Sequence, residues 1–399
     1  MHDALIIGAG PGGLHAAREL ASRGFDVVVL EEHSRIGAPV HCTGVLASDA
    51  FEEFNLPTNS ILNELHTAKF FSPNGQTFDY TTERVEAVVV DRLVFDQTLK
   101  IDALHSGAKI KGDSRVTAIE NGPKSIRVFL STGEPPLEAR ACILACGANY
   151  ALQRTLGLGT PTAFLQSAQA EVPAGMTGNH VEIHFGSDTA PKGFAWVVPV
   201  PRSDGNYVRI GLMCDGSSAA GLFRRFAERV APRWKVSLDS LVEPRRKMLP
   251  LAPIARTYAN RLLVVGDAAG LVKPTTGGGI YYSVVTATLA ARVLADLLEQ
   301  NDLHAAALAQ YEREWRRRFG MELKLQLVFR NHGQRLTDSD IEGLFELVRT
   351  DGIMPLLRKT ADFNQHRALI LALLRHKQFR DIFLRTFATD TARDDIPAI

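Results

Sequence analysis

The sequence predicts the α/β class: a parallel-stranded domain cut into segments, a smaller α+β domain interleaved with it, and a helical C-terminal region. Three observations predict this. Short apolar runs end in glycine-rich turns at Gly8 and again at Gly266, as parallel strands feeding helices do. Between them lie alternating runs punctuated by Asn74-Gly75 and Asp204-Gly205, pairs that favour tight hairpins. Beyond residue 300 the apolar spacing is helical and arginine is frequent.

In chain order, Ala4-Leu5-Ile6-Ile7 reads as a buried strand, residues 8–13 as a glycine loop and residues 14–23 as a helix stopped by Gly24. With a second strand at 26–30, this is a βαβ unit. From about Thr67 the texture becomes alternating, with Asn74-Gly75 set between Phe70-Phe71 and Phe78. Residues 91–105 return to helical spacing through Leu93, Phe95, Leu99, Ile101 and Leu104, and residues 140–145 read as a buried strand ending at Cys146-Gly147. Strands follow at 180–185, 194–200 and 207–213, interrupted by a helix at 220–230. A third buried strand at 261–265 leads to Gly266-Asp267, and a long helix covers 279–299.

The expected domains are therefore a discontinuous Rossmann-like domain over 1–66, 91–159 and 251–300, an antiparallel domain over 67–90 and 160–250, and a helical appendage over 301–399.

At 399 residues, 45% hydrophobic and 22% charged, the chain can bury substantial cores. Its net charge of +1 argues against nucleic acid as a partner. Cys42, Cys142, Cys146 and Cys214 are too scattered for a disulfide framework or a zinc site, so reduced thiols and no metal are expected. Cys142 and Cys146, four apart, read as small buried side chains on one strand face. No run reaches the roughly 18–20 apolar residues that span a bilayer. The expectation is a cytoplasmic protein with room for peripheral membrane contact, for which Arg313, Arg316, Arg317 and Arg318 around Trp315 and Phe319 are the candidates.

Gly8, Gly10, Pro11, Gly12 and Gly13 follow a strand and open a helix, where free amides and the helix dipole can face a pyrophosphate. Glu31, at the end of the next strand, is placed to accept from a ribose diol; strand alternation turns its neighbour Glu32 the other way. These features fit FAD and NAD equally. The second region separates them: Asp267 after a strand can hold ribityl hydroxyls, and Gly277, Gly278 and Gly279 before a helix beginning near Ile280 can offer amides to a flavin carbonyl. Together they point to FAD.

The Gly8 loop, Glu31, Arg92 within Asp91-Arg92-Leu-Val-Phe-Asp96, and Gly266-Asp267 with the Gly277 turn resemble the p-hydroxybenzoate hydroxylase superfamily of flavoproteins, over roughly residues 1–320. Within it, Ile36-Gly37-Ala-Pro39-Val40-His41-Cys42-Thr-Gly44 resembles the cysteine segment of geranylgeranyl reductases. Gly193-Phe194-Ala-Trp196-Val-Val198-Pro199 is similar to their Tyr-x-Trp-x-Phe-Pro motif, with Phe194 and Val198 as departures. The resemblance implies the GR2-type dinucleotide fold, with FAD held by the Gly8–Gly13 loop, Glu31, Arg92, the backbone near Val116, Asp267 and the Gly277 turn, with Glu32, Gly147 and Ile280 beside them. It implies that Cys42, Phe194 and Trp196 form the catalytic, substrate side. Trp196 and Phe194, two apart on a strand, project to one face and suit an apolar substrate. The implied activity is hydride transfer from reduced flavin to double bonds of a geranylgeranyl or other polyprenyl lipid, with NAD(P)H or a ferredoxin-like donor as electron source.

The rival reading on the same fold is a flavin monooxygenase or halogenase for an aromatic or small apolar substrate, since halogenases carry a Trp-x-Trp-x-Ile-Pro motif echoed at 194–199. The hydroxylases commonly have Asp-Gly where this chain has Cys146-Gly147. A pyridine-nucleotide disulfide reductase lacks support, with no second Gly-x-Gly-x-x-Gly and no close cysteine pair. A flavin-binding protein without turnover is the remaining alternative.

Overall fold

In the computed structural model, residues 1–216, 218–350 and 352–388 are described. They divide into two compact units: Met1–Ile61, Val90–Phe164 and Met248–Leu323 form the first, and Leu62–Val89, Leu165–Lys247 and the residues from Lys324 onward form the second.

The first unit is built on parallel strands. Apolar runs pair in register: in the His2–Ile7 strand, Ala4 to Ile7 lie between Ala141 to Leu144 of the Leu137–Leu144 strand and the Val27–Leu30 strand, with Ile7 opposite Leu144 on one side and Leu30 on the other. Leu262–Val264 continues the sheet beside Leu137–Leu144, and Lys109–Lys111 extends it beside Val27–Leu30. Most of these side chains are fully buried, as strands covered on both faces require. An antiparallel lobe, Val116–Asn121 with Ile126–Leu130, joins at the amino-terminal half of Leu137–Leu144.

The first helix spans Pro11–Ala21, three residues earlier than its apolar spacing suggests, because Pro11 with its fixed φ and missing N–H suits a first helical position. It packs on the Ile280–Glu299 helix, with Gly12 against Ser283. Among the described residues Ile280–Glu299 is the one helix long and apolar enough to cross a membrane, and 67% of its apolar window is buried inside the protein.

The C-terminal region is helical, as expected. The Ala305–Trp315 helix belongs to the first unit, where Tyr311 donates to the Val264 carbonyl at 2.9 Å and the Trp315 indole donates to Thr257 Oγ1 at 3.0 Å. Trp315 and Phe319 are buried, so they are unavailable to a lipid surface; only arginines of that segment face outward, and Arg316 and Arg318 are paired with Glu312 and Glu53.

The second sheet runs Arg245–Pro250, Phe164–Pro173, Gly205–Cys214, Phe194–Arg202, His180–His184, Thr67–Phe71 and Thr77–Thr81 in order. Gly205 and Arg202 close the Asp204-Gly205 hairpin, and Gly75 with φ of +84° closes the other. One pairing departs from the expected antiparallel order: His180–His184 runs parallel to Thr67–Phe71. These strands are separated by more than a hundred residues, so no hairpin fixes their direction. The Ala219–Trp234 helix covers one face through Phe223, Phe226 and Val230, set against Ala195, Val197, Ile210 and Leu212. Arg233 fastens it to the buried Glu182 at 2.9 Å.

Candidate functional site

Parallel strands of one sheet end at one edge, and their registers decide what meets there. Ile7, Leu30, Leu144 and Val264 are in line, so the Gly8 loop, Glu31, Cys146-Gly147 and Gly266-Asp267 all leave the sheet at its carboxyl edge. This edge is where open parallel sheets bind nucleotides.

The glycine loop is shaped by its own backbone. Gly8 has φ of +103°, and a Cβ there would lie 2.5 Å from the Ala145 carbonyl oxygen. A Cβ at Gly13 would fall on the Gly8 carbonyl oxygen itself. At Gly10, by contrast, a Cβ would meet nothing within 4 Å, so the loop presents an open side. Gly10 is also the N-cap of the Pro11–Ala21 helix and supplies no side-chain cap, and no acidic residue occupies the first turn. The helix amides are thus left to an anion.

Glu31 Oε2 accepts from the Ala9 amide at 2.8 Å, and Oε1 lies 2.6 Å from His33 Nδ1. The carboxylate is mostly buried and locked beside the loop. Glu32 is more exposed and lies 3.6 Å from Arg115. Val116, half-buried, opens the strand that follows.

Arg92 is the first residue of its helix, capped by Asp91, which accepts from the Leu93 and Val94 amides. Its guanidinium donates to Asp96 Oδ2 at 2.9 Å and Oδ1 at 3.1 Å, and it hydrogen-bonds to the Cys42 sulfur. Burial alone would lower the Arg92 pKa; the Asp96 carboxylate and the Cys42 sulfur outweigh it and raise it, so Arg92 stays a cation. The Cys42 sulfur also accepts from the Gly44 amide at 3.3 Å. Cys42, Arg92 and Asp96 therefore form one cluster, in which Asp96, the last residue of the Asp91-Arg92-Leu-Val-Phe-Asp96 motif, lies one turn beyond Arg92 on the same helix.

The strand leading to Cys146 ends at Leu144, so Cys142 and Cys146 do not share a strand face as expected: the chain leaves the sheet once it reaches the carboxyl edge. Burial pushes the Cys146 thiol up to about 11 and Cys142 further, and neither has thiolate character. Gly147, with φ of +65°, has open space where a Cβ would be.

Asp267 lies in a short 3-10 turn, Gly266–Ala269, and a Cβ at Gly279 would fall on its Oδ1. Tyr150 donates to the Asp267 carbonyl at 2.6 Å and the fully buried Gln153 donates to the Ala268 carbonyl at 2.9 Å. These two braces, from a short helix whose local sequence carries no binding motif, were not legible beforehand. Gly277 has φ of +72°, and its amide donates to Lys273 O at 2.8 Å. Gly279 caps the helix starting at Ile280 with no side chain and no acidic residue in the first turn. Two uncapped helix starts beside glycine turns, with an open face at Gly10 and Gly147, are what a dinucleotide with a flavin ring requires, and these residues fit FAD.

In the second unit Phe194 and Trp196 lie on the sheet face opposite the Ala219–Trp234 helix, their rings 5.8 Å apart. The wall is longer than the sequence motif. Phe194 meets Phe185, which stacks with Phe70, which stacks with Phe78 at 4.7 Å; Phe345 of the Asp338–Thr350 helix closes on Phe78 at 5.0 Å. The Trp196 indole donates to Gln169 at 3.2 Å and lies flat over Gly211, where a Cβ would come within 2.5 Å of the ring. Gly211→Ala is expected to lower stability by about 1–3 kcal/mol through overpacking, read as a lower denaturant midpoint, and to shift the Trp196 near-ultraviolet signal while bound flavin is retained.

Residues 6–62 match the NAD(P)-binding Rossmann-like domain, and residues 216–350 match the lycopene cyclase protein family. The chain is 32% identical to digeranylgeranylglycerophospholipid reductase of Methanoculleus marisnigri, covering 87% of this chain and 90% of that one. It is 30% identical to digeranylgeranylglycerophospholipid reductase 1 of Methanopyrus kandleri, covering 88% and 98%. Among solved structures, a geranylgeranyl bacteriochlorophyll reductase-like protein of Thermoplasma acidophilum superposes with a TM-score of 0.84 at 22% identity, over 97% of this chain and 98% of that one. Halogenase PltM, solved with FAD, superposes with a TM-score of 0.66 at 16% identity over 96% and 85%, a likeness of fold. With relatives of that identity along nearly its whole length, the chain belongs to the geranylgeranyl reductase family of FAD-dependent oxidoreductases.

Proposed function

We propose that this enzyme binds FAD and reduces carbon–carbon double bonds in the prenyl chains of a polyprenyl lipid. The observation carrying this reading is the near full-length identity to reductases named for a digeranylgeranyl glycerophospholipid. The dinucleotide is assigned to the first unit and the apolar substrate to the second, with domain limits close to 1–66, 91–159 and 251–300 for the one and 67–90 and 160–250 for the other.

In this reading Gly8, Gly10, Pro11, Gly12 and Gly13 hold the pyrophosphate and Glu31 the ribose, with Arg92, Val116, Gly147, Asp267, Gly277, Gly278, Gly279 and Ile280 completing the cradle. Glu32, turned towards Arg115, is left at its edge. Bound FAD, once reduced by NAD(P)H or a ferredoxin-like donor, supplies the hydride. Trp196 and Phe194 face the isoprenoid, where aromatic faces favour the positive charge that grows at the more substituted carbon. The Cys42 sulfur, held by the Arg92 guanidinium and the Gly44 amide, is placed on the substrate side of the flavin. Peripheral contact with anionic lipid rests on arginine charge alone, because Trp315 and Phe319 are buried.

The test is anaerobic reduction of the purified yellow protein, addition of geranylgeranyl lipids, quinones or aromatic compounds, and mass spectrometry of the products. Reoxidation by a prenyl lipid that gains hydrogen is the expected result; reoxidation by none of the prenyl compounds rejects the substrate class. Cys42→Ala is expected to keep FAD and to slow prenyl reduction on the order of a hundredfold, and unchanged turnover would remove Cys42 from the site.

A further inference from the structure

The Gly277–Gly279 turn is built on a lysine four residues earlier. Lys273 precedes Pro274 and is only 4% exposed. Its main chain builds the turn: its carbonyl accepts from the Gly277 amide at 2.8 Å and the Thr276 amide at 3.3 Å, and its own amide donates to the Gly278 carbonyl at 3.0 Å. Any residue could make those bonds. What is particular to lysine is the side chain, which folds back beneath the turn: a Cβ at Gly278 would lie 2.6 Å from Lys273 Cε and 3.3 Å from Nζ. The Lys273 side chain therefore lies beneath the turn that opens the Ile280–Glu299 helix, whose N-cap, Gly279, contributes no side chain of its own.

A charge buried in water-excluded surroundings acts strongly on what lies near it. The charge has its largest effect on whatever sits at the turn. A flavin ring that accepts a hydride gains two electrons and one proton; the proton stays at N5, and a negative charge is left at the N1 and C2-carbonyl end. Protein charge near that end sets how readily the ring is reduced. The helix dipole, positive at Gly279, acts in the same direction, while the Asp267 carboxylate beside Gly279 opposes it.

Resting on the reading that this turn receives the carbonyl end of FAD, we propose that Lys273 is an electrostatic residue of the flavin site. Its ammonium stabilises the negative charge left on the ring after hydride transfer from an NAD(P)H-class donor and so raises the reduction potential.

The test compares the FAD-loaded chain with Lys273→Met, which keeps the volume without the charge, and Lys273→Arg, which keeps the charge. Bound FAD is read from its visible absorbance, and the potential from anaerobic equilibration with a reference dye. At equal potential, the reduced-to-oxidised ratio is expected to fall at least tenfold in Lys273→Met, which is about 30 mV for a two-electron couple, and to stay within about threefold in Lys273→Arg. If the methionine chain does not hold FAD, Lys273→Gln is read in its place. An unchanged ratio without the charge, or an arginine chain that falls as far as the methionine one, overturns the proposal. A wild-type chain that takes up no FAD overturns the cofactor reading instead.

Discussion

Asp96→Ala is expected to lower the stability of the protein by about 3–5 kcal/mol, the cost of leaving a buried charge without its partner. The Arg92 and Asp96 side chains are 12% and 5% exposed, and two hydrogen bonds join them. Removing the carboxylate leaves a largely buried guanidinium without its charge partner. Asp96 also stands against Gly37, where a Cβ would lie 3.0 Å from the Asp96 Cβ, so the loop is held by shape as well as charge. Chemical denaturation measures the effect: the midpoint should fall with the slope unchanged. Arg92→Met with Asp96→Leu should recover much of the loss, because replacing both ions with apolar groups removes the desolvation cost. A single Asp96→Ala chain as stable as the parent would show that the pair contributes nothing.

Gly13→Ala is expected to reduce FAD affinity at least about a hundredfold, or about 2.8 kcal/mol. The methyl group would fall on the Gly8 carbonyl oxygen and also stand 3.3 Å from the Ala145 side chain. Neither obstacle is the tip of a flexible chain. The loop must open, and the amides that would face the pyrophosphate turn with it. Titration of the flavin-free chain with FAD, followed by quenching of flavin fluorescence, measures this. Gly10→Ala is the control: a Cβ there meets no protein atom within 4 Å, so the chain should fold as the parent does and any lost affinity reports on the ligand alone. Equal affinity in Gly13→Ala and the parent would refute the steric account.

The local motifs were readable because each is a short stretch of chain answering to its own chemistry. Gly8 to Gly13 announced a strand, a turn and a helix, and those elements run His2–Ile7 and Pro11–Ala21. The turn pairs at Asn74-Gly75 and Asp204-Gly205 marked hairpins whose strands pair as expected. The helix after Asp91 and the long helix after Gly279 begin where an N-cap aspartate and a glycine turn place them. Boundaries moved by a few residues, as at Pro11 and Leu144.

Partners from distant segments were not readable. Glu31 finds the Ala9 amide because two parallel strands end in line. Tyr150 and Gln153 reach the Asp267 turn across more than a hundred residues. Gly211 admits the Trp196 ring only because antiparallel register sets them opposite each other. Phe345 joins Phe78 and Phe185 because Ser187 and Asn74 donate to Asp338 and Glu342 and pin its helix to the sheet edge.

The sequence by itself determined the glycine turns and the class of fold, since glycine conformation, helix capping and strand periodicity act over a few residues, and its motifs carried the resemblance to the family. The tertiary structure alone decided which amide Glu31 accepts from, which glycine makes room for Trp196 and which side chains brace the Asp267 turn. Those depend on register and packing between segments far apart in the chain, and no local preference encodes which of many compatible partners the folded sheet will bring within 3 Å.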